Sequence, residues 1–323
     1  MSAKAEKTDV KSKARTYKPK KWLRFYRCLP LYLMFLPGAL YLFIDRYIPM
    51  SGLVIAFKKI NWRHGIWGSD WVGFKNFEYL FKTKDAWNIT RNTILYNLAF
   101  IVLGTLLSIS VAIILNEITS KRMKQFYQTV ILMPYLISIV VVSYLVFALL
   151  SSESGFINNT VIKLFGGDPV SWYTEPKYWP VILVIVHLWK VFGYDTILYY
   201  ATLVGIDQSY YEAAVVDGAN RWQQIIHVTI PNLLPTIITL TLLAIGKIFY
   251  SDFGLFYQVP MDSGPLLDAT STIDTYVYRG LITLNDVGMS SAAGVYQSIV
   301  GFILVLLANW AVKKVGGKES GLF

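Results

Sequence analysis

The chain of 323 residues holds one cysteine, Cys28. A single thiol excludes an intrachain disulfide and a thiolate metal cluster, and a free buried thiol is its expected state. Histidine is nearly as scarce. His64, His187 and His227 stand in different loops and spans, so no metal site is expected. Charged residues make up only 15% of the chain. There is no Walker-type phosphate loop, no His-Glu-x-x-His pair and no Gly-x-Ser-x-Gly elbow. No catalytic residues are therefore assigned, and a membrane-embedded enzyme is disfavoured. The first 27 residues are polar and basic, without the short apolar core of a cleavable signal peptide.

What the chain has in excess is apolar surface. Hydrophobic residues reach 54% and mean hydropathy is +0.45. Aromatics reach 15%, with 22 Tyr and 10 Trp, as suits side chains that anchor spans at membrane interfaces. Apolar runs long enough to cross hydrocarbon as helix recur along the sequence. The expected fold is an all-α membrane protein with about six transmembrane helices: Leu29–Phe57, Asn92–Asn116, Phe126–Leu150, Trp179–Val204, Pro231–Tyr250 and Ser291–Val312. Asp45-Arg46 and Pro49 interrupt the first, so the helical expectation rests on its first half. The corresponding division is a basic tail 1–28, a membrane body 29–312 and a C-terminus 313–323.

Lys and Arg set the expected orientation. Ten fall in residues 1–27, and Lys121, Arg122, Lys124, Arg221, Lys313, Lys314 and Lys318 lie on the same side, giving it a net charge of +10. The opposite loops total −1. Both termini are thus expected to be cytoplasmic. The segment 58–91 runs against the rule, with seven basic residues to three acids on the external side. The tail is taken to dominate. Its basic residues also suit contact with anionic membrane lipid, although retention on the inner side is the simpler account.

The loop between the fourth and fifth spans, residues 205–230, is patterned as a helix–turn–helix. Ser209 and Glu212 are spaced as a capping box, Gly218 suits a left-handed C-terminal turn, Asn220 suits a second N-cap and Pro231 the first turn of span five. Ala213 and Ala214 leave one face without bulk. On local physics alone this is a solvated connector in which Glu212 caps a helix.

These residues resemble the signature of binding-protein-dependent ABC importer permeases: Glu-Ala-Ala, three residues, Gly, nine residues, then aliphatic-x-aliphatic-Pro. Glu212, Ala213, Ala214, Gly218, Val228, Ile230 and Pro231 fill those places. The resemblance implies a coupling loop in which Glu212, Ala213, Ala214, Asp217, Gly218, Ala219 and Pro231 meet a cytoplasmic ATPase. No cofactor is then bound by this chain; ATP and Mg belong to the partner ATPase. The implied partners are a second, homologous permease, two ATPase subunits and an extracytoplasmic solute-binding protein, in a bacterial inner membrane. Nucleic acid is not among them. An autonomous secondary transporter would show coupling-ion sites and often paired half-repeats, and would leave the loop unexplained.

The segments 47–58 and 65–77, and Ser263-Gly264-Pro265 with Thr272 and Tyr276, are similar to carbohydrate permeases, among which are alginate importers. In such permeases substrate lies near mid-membrane between the two permease chains. The resemblance and the polar residues of spans four and five mark His187, Trp189, Lys190, Tyr194, Lys247 and Tyr250 as pathway candidates. His187, Lys190 and Tyr194 are spaced for one helical face. Intramembrane charge is costly and faces a partner or a wet cavity. Two uses of Lys190 stay open: pairing with a substrate carboxylate, or with Asp195 or a neighbouring chain terminus. The basic segment 58–91, with Lys190 and Lys247 beyond it, favours an acidic, uronate-containing saccharide over a neutral one.

Overall fold

The computed structural model describes residues 21–78 and 82–316. Most of the basic tail, Lys4 to Lys20, lies outside the described residues, as do Lys318 and Glu319. The chain forms two compact units, divided in sequence between Leu53 and Val54.

In the first unit, α1 (Lys21–Leu42) passes into a π-helical turn at Phe43–Tyr47 and then Ile48–Met50. The helical run continues in sequence past the boundary through the 3-10 turn Ser51–Phe57, and Cys28–Phe57 is long and apolar enough to span a membrane. Asp45 and Pro49 were expected to break this run, and they do not. Pro49 has no N–H to give to the preceding turn. The π turn absorbs that loss by lengthening the ladder, with the Ile48 N–H bonded to the Phe43 carbonyl. Asp45 pairs with its neighbour Arg46 at 3.3 Å. Cys28 is half-buried rather than buried.

The second unit is built on helices, long and apolar ones joined by short ones: α2 (Lys84–Glu117), α3 (Lys121–Leu136), α4 (Ile139–Leu150), α5 (Trp179–Val204), α6 (Gln208–Val216), α7 (Arg221–Gln224), α8 (Ile230–Ile245), α9 (Phe253–Gln258), α10 (Ile273–Ile282) and α11 (Val287–Gly316). Among the described residues the only strands are β1 (Lys58–Lys59) and β2 (Asp70–Trp71), paired antiparallel with Lys58 opposite Trp71. Among the described residues there are thus five helical runs fit to span a membrane, or six if a bent pair counts as one span.

That bent pair corrects the third span. Phe126–Leu150 is not one helix: α3 and α4 meet at 93°. The Ile137 N–H bonds to the Pro134 carbonyl at 3.2 Å, tightening the last turn of α3, and Ile137 and Ser138 then take extended ψ values. The fourth span matches α5 over its whole length. The fifth is displaced. The helix runs from Arg221 through a π turn at Ile225–Thr229 to Ile245, so Lys247 and Tyr250 lie in the turn that follows, not inside the span. The second and sixth helices start earlier than expected, at Lys84 and Val287.

Packing centres on α5. Trp179 and Leu183 are fully buried and join Tyr96, Phe100, Val142, Leu255 and Phe256 in one core. Deeper along the bundle Ala112, Tyr199, Leu203 and Leu233 form another, and Ser108 of α2 donates to the Phe192 carbonyl at 3.2 Å. Lipid supplies no hydrophobic drive between helices, so close backbone approach matters. Gly193 makes that approach: a Cβ there would collide with the Ile131 carbonyl of α3. Gly104 of α2 has more room, its nearest neighbour being the Leu188 side chain at 3.7 Å. Gly193→Val should therefore force α3 and α5 apart, costing about 1–3 kcal/mol or more by overpacking. Gly104→Ala should be tolerated. Thermal unfolding of the two purified variants checks this; equal midpoints would refute the close-contact role.

Candidate functional site

Two regions carry the predicted site residues: the helix pair between α5 and α8, and the polar groups on and after the spans. In the helix pair, Asp207 starts α6. Its side chain accepts the Ser209 N–H at 2.9 Å, and that bond holds its carboxyl below the usual range. The Ser209–Glu212 capping box is thus not used. A carboxylate is the stronger acceptor and also complements the positive helix end, so the helix begins ahead of Ser209. Glu212 is left without a partner among the described residues.

The end of α6 follows from Gly218, whose φ of +80° is open to glycine. The Ala219 N–H reaches the Ala214 carbonyl at 2.9 Å and the Gly218 N–H reaches Val215 at 3.0 Å. This pair of bonds is a Schellman turn. Asn220 then opens α7 with a complete capping box: its side chain accepts the Gln223 N–H at 3.0 Å, and its own N–H donates to Gln223 Oε1 at 2.8 Å. Because α7 runs through the π turn into α8, with Pro231 in the first turn, the helix pair is a rigid extension of a span. Cross-ties brace it. Tyr211 shares a 3.1 Å bond with Thr229, Arg221 pairs with Glu117 at the end of α2, and Gln224 donates to the Ala219 carbonyl.

No residue of α6 is buried. Val216 is 86% exposed and Trp222 72%, beside a recess of about 350 Å³ that includes Ala214, Asp217, Gly218, Ala219 and His227. Ala213 is exposed on the same helix.

The span candidates are not all brought together. His187 stacks on Phe100 of α2, with ring centroids 3.7 Å apart. Lys190 and Tyr194 instead face α3. Tyr194 stacks on Tyr135 at 4.8 Å, and Lys190 donates to the carbonyls of Tyr135 and Ile137 at 3.2 and 2.7 Å. Those carbonyls are freed by the bend between α3 and α4, so the ammonium closes the end of a broken helix. No ion pair joins Lys190 to Asp195 among the described residues. Trp189 and Tyr194 are about two-fifths exposed, at 41% and 43%. Lys247 is exposed with no side-chain partner among the described residues. Tyr250 is 46% exposed, and its carbonyl is held by Asn97 of α2 at 3.3 Å.

Tyr135 and Asn97 were missed in the sequence. Pro134, inside an apolar run, was the available signal for the bend and hence for Tyr135. Asn97 left none, because the carbonyl of Tyr250 lies far along the chain.

Long apolar helices joined by a braced, exposed helix pair make the frame of a multi-pass membrane protein. Residues 104–316 match the family described as the binding-protein-dependent transport system inner membrane component. The chain belongs to that family and is a multi-pass inner-membrane protein. It is 35% identical over 298 residues to the polygalacturonan/rhamnogalacturonan transport system permease protein YteP of Bacillus subtilis (strain 168), covering 91% of this chain and 90% of that one. Its fold is similar to a chain of a bacterial ABC transporter involved in the import of the acidic polysaccharide alginate. The TM-score is 0.83 and identity 32%, over 91% of this chain and 98% of that one. A second structure, of a bacterial alginate ABC transporter in complex with an alginate pentasaccharide-bound periplasmic protein, matches with TM-score 0.83 and 31% identity over the same shares.

Two substitutions test the geometry. Lys190→Met leaves two carbonyls unpaired and should cost about 1–3 kcal/mol of stability, restored in part by Lys190→Arg. Chemical denaturation of the purified protein reads this, and no change in Lys190→Met would refute the capping role. Gly218→Ala must hold a left-handed φ and should cost about 1–2 kcal/mol locally. Faster amide exchange at Ala219 would report it; unchanged exchange would refute the strain.

Proposed function

We propose that this chain is the membrane-spanning permease subunit of an ATP-driven importer for an acidic, uronate-containing oligo- or polysaccharide. A single observation carries the transport mechanism: α6 is a braced helix with no buried residue and with an unpaired Glu212. A surface so exposed and so rigidly tied to a span suits a helix that another subunit covers. On this reading the partner is a cytoplasmic ATPase, with ATP and Mg bound there and not here. Glu212 anchors its groove, Ala213 and Ala214 allow close approach, and Asp217, Gly218 and Ala219 set the turn. Closure of two ATPase subunits would push α6, and the continuous helix from Arg221 to Ile245 would carry the movement into the membrane as a rigid body.

The remaining partners are a second permease chain and an extracytoplasmic solute-binding protein. The similar alginate transporter, crystallised with a saccharide-bound periplasmic protein, supports the latter. The names of the relatives, an acidic polysaccharide in one case and a polygalacturonan in another, support a uronate substrate. Tyr194, Trp189 and Tyr250 expose ring surface suited to sugar stacking, and Lys247 has a free ammonium. His187 and Lys190 act on this reading through Phe100 and Tyr135, by shaping the pathway. Both termini are cytoplasmic, and the basic tail 1–28, body 29–312 and C-terminus 313–323 keep their separate roles.

Glu212→Ala should lower uptake at least about tenfold in proteoliposomes of the full complex, while the subunit still inserts and assembles. Normal uptake with normal substrate-stimulated ATP hydrolysis would overturn the coupling role. In a Cys28→Ser background, an impermeant thiol reagent on intact spheroplasts should label Asp168→Cys and miss Ser120→Cys. The reverse pattern would invert the orientation. Competition between a galacturonate oligosaccharide and its neutral methyl ester tests the substrate: equal transport of both would overturn the preference for acid.

A further inference from the structure

The external segment was read as a basic stretch, yet its lysines do different work. Lys58 is only 8% exposed, and its ammonium donates to the carbonyls of Ile66 and Trp67 at 3.1 and 2.8 Å. Lys82 pairs with Glu78 at 2.8 Å. Lys59 and Lys75 are exposed and their side chains make no hydrogen bond or ion pair among the described residues, although Lys75, after Lys82, helps hold the Glu78 carboxyl below its usual range. Both line one recess of about 600 Å³, together with Trp62, Asn76, Asp286 and Gly288.

The walls of this recess are braced before any ligand arrives. Lys58 pins the tip of the β1–β2 hairpin, and Ser69 both accepts the Asn61 N–H at 2.9 Å and donates to the Gly65 carbonyl at 2.7 Å. Asn76 donates to the carbonyls of Ala56 and Lys58, tying the next turn to the hairpin. The far wall is the corner before α11. There Asn285 holds a left-handed φ of +53°, and Asp286 caps the helix by accepting the Met289 N–H at 2.9 Å. Gly288 lets Asn76 press against this corner, since a Cβ would stand 2.8 Å from Asn76 Nδ2. Asp286 uses Oδ1 at the helix end and keeps its charge on the far wall, where Lys59 and Lys75 outnumber it; Asp70, opposite Lys59 in the strand register, forms no ion pair with that lysine.

We infer that this recess is a binding site, formed by this chain alone, for a carboxylate-bearing saccharide segment. Lys59 and Lys75 would meet uronate carboxylates, and the indole of Trp62, 67% exposed, would pack on a pyranose face. The volume lies within the range of small-molecule sites. Two ammonium groups outside any ion pair can give charge-assisted bonds, and a preformed frame lowers the ordering cost of binding. The site lies at the first turn of α11 and in the segment that follows Phe57, at the end of the spans, so it would hold the saccharide chain before it enters the membrane pathway. This inference rests on the uronate substrate proposed above.

The test uses the full transporter complex in nanodiscs of zwitterionic lipid, without binding protein, and a galacturonate trisaccharide as probe. Binding read by tryptophan fluorescence and calorimetry should fall at least about tenfold in Lys59→Gln/Lys75→Gln. Trp62→Phe should remove most of the fluorescence change while retaining affinity. The neutral methyl ester should bind wild type no better than the trisaccharide binds the double variant. Equal trisaccharide binding by wild type and double variant would overturn the site. So would unchanged trisaccharide binding with a lowered affinity for loaded binding protein, which marks a protein-docking surface. A change confined to nanodiscs containing anionic lipid would overturn it in favour of headgroup contact. Uptake of the trisaccharide through the binding protein, measured alongside, separates the two readings. Loss of the recess with intact wild-type uptake removes this site alone, whereas no uptake by wild type removes the substrate assignment.

Discussion

The constraint on which this structure depends is the pairing of backbone polar groups where no water reaches them. A regular helix meets it internally, and any break within a span must find donors elsewhere. The two breaks near the functional region are both closed by side chains from other helices. Lys190 of α5 supplies the carbonyls of Tyr135 and Ile137 at the bend between α3 and α4. After α8, Asn97 reaches the carbonyls of Ile248 and Tyr250, and Gln297 of α11 reaches that of Phe249 at 2.6 Å. Asp274 completes the second brace by accepting the Ser251 N–H and hydroxyl and a Gln297 amide N–H. Among the described residues, no buried side-chain nitrogen or oxygen is left without a partner.

The helix pair between α5 and α8 obeys the opposite logic. Its backbone is organised by a cap, a Schellman turn and a capping box, while no side chain of α6 is buried and Gln224 alone is buried on α7. Local hydrogen bonds give it shape without a core of its own, and its continuity with α8 transfers that rigidity into the membrane. This division suits a part that is pushed rather than one that yields. The cross-ties Tyr211–Thr229 and Arg221–Glu117 join it to neighbouring helices, so displacement of α6 cannot be absorbed by the connector alone.

Charge follows the same economy. Of the lysines that make the segment 58–91 basic, Lys58 and Lys82 are committed to structural contacts, while Lys59 and Lys75 stand outside any ion pair in the recess that Trp62 also lines. Lys190, the most conspicuous intramembrane charge, closes a helix end. A count of basic residues therefore overstates the positive field available to a ligand, and geometry selects which ammonium groups remain.

Much of the design was legible in the amino-acid order, because membrane helices are specified by composition and local turns by single residues. The α5 boundaries, the left-handed Gly218, the Asn220 cap and the place of Pro231 follow from short-range rules, as does the family signature they carry. Asp207 was overlooked as a cap only because Ser209 and Glu212 offered the more familiar spacing. Tertiary structure alone decided the rest. The 93° bend of the third span, the end of α8 before Lys247, and the division of His187 from Lys190 and Tyr194 depend on which distant carbonyl or ring each side chain meets. Those partners lie far along the chain: Lys190 is 53 residues from Ile137 and Asn97 is 153 from Tyr250. Periodicity records which residues share a helix face, but the neighbour that face meets is set only when the helices pack.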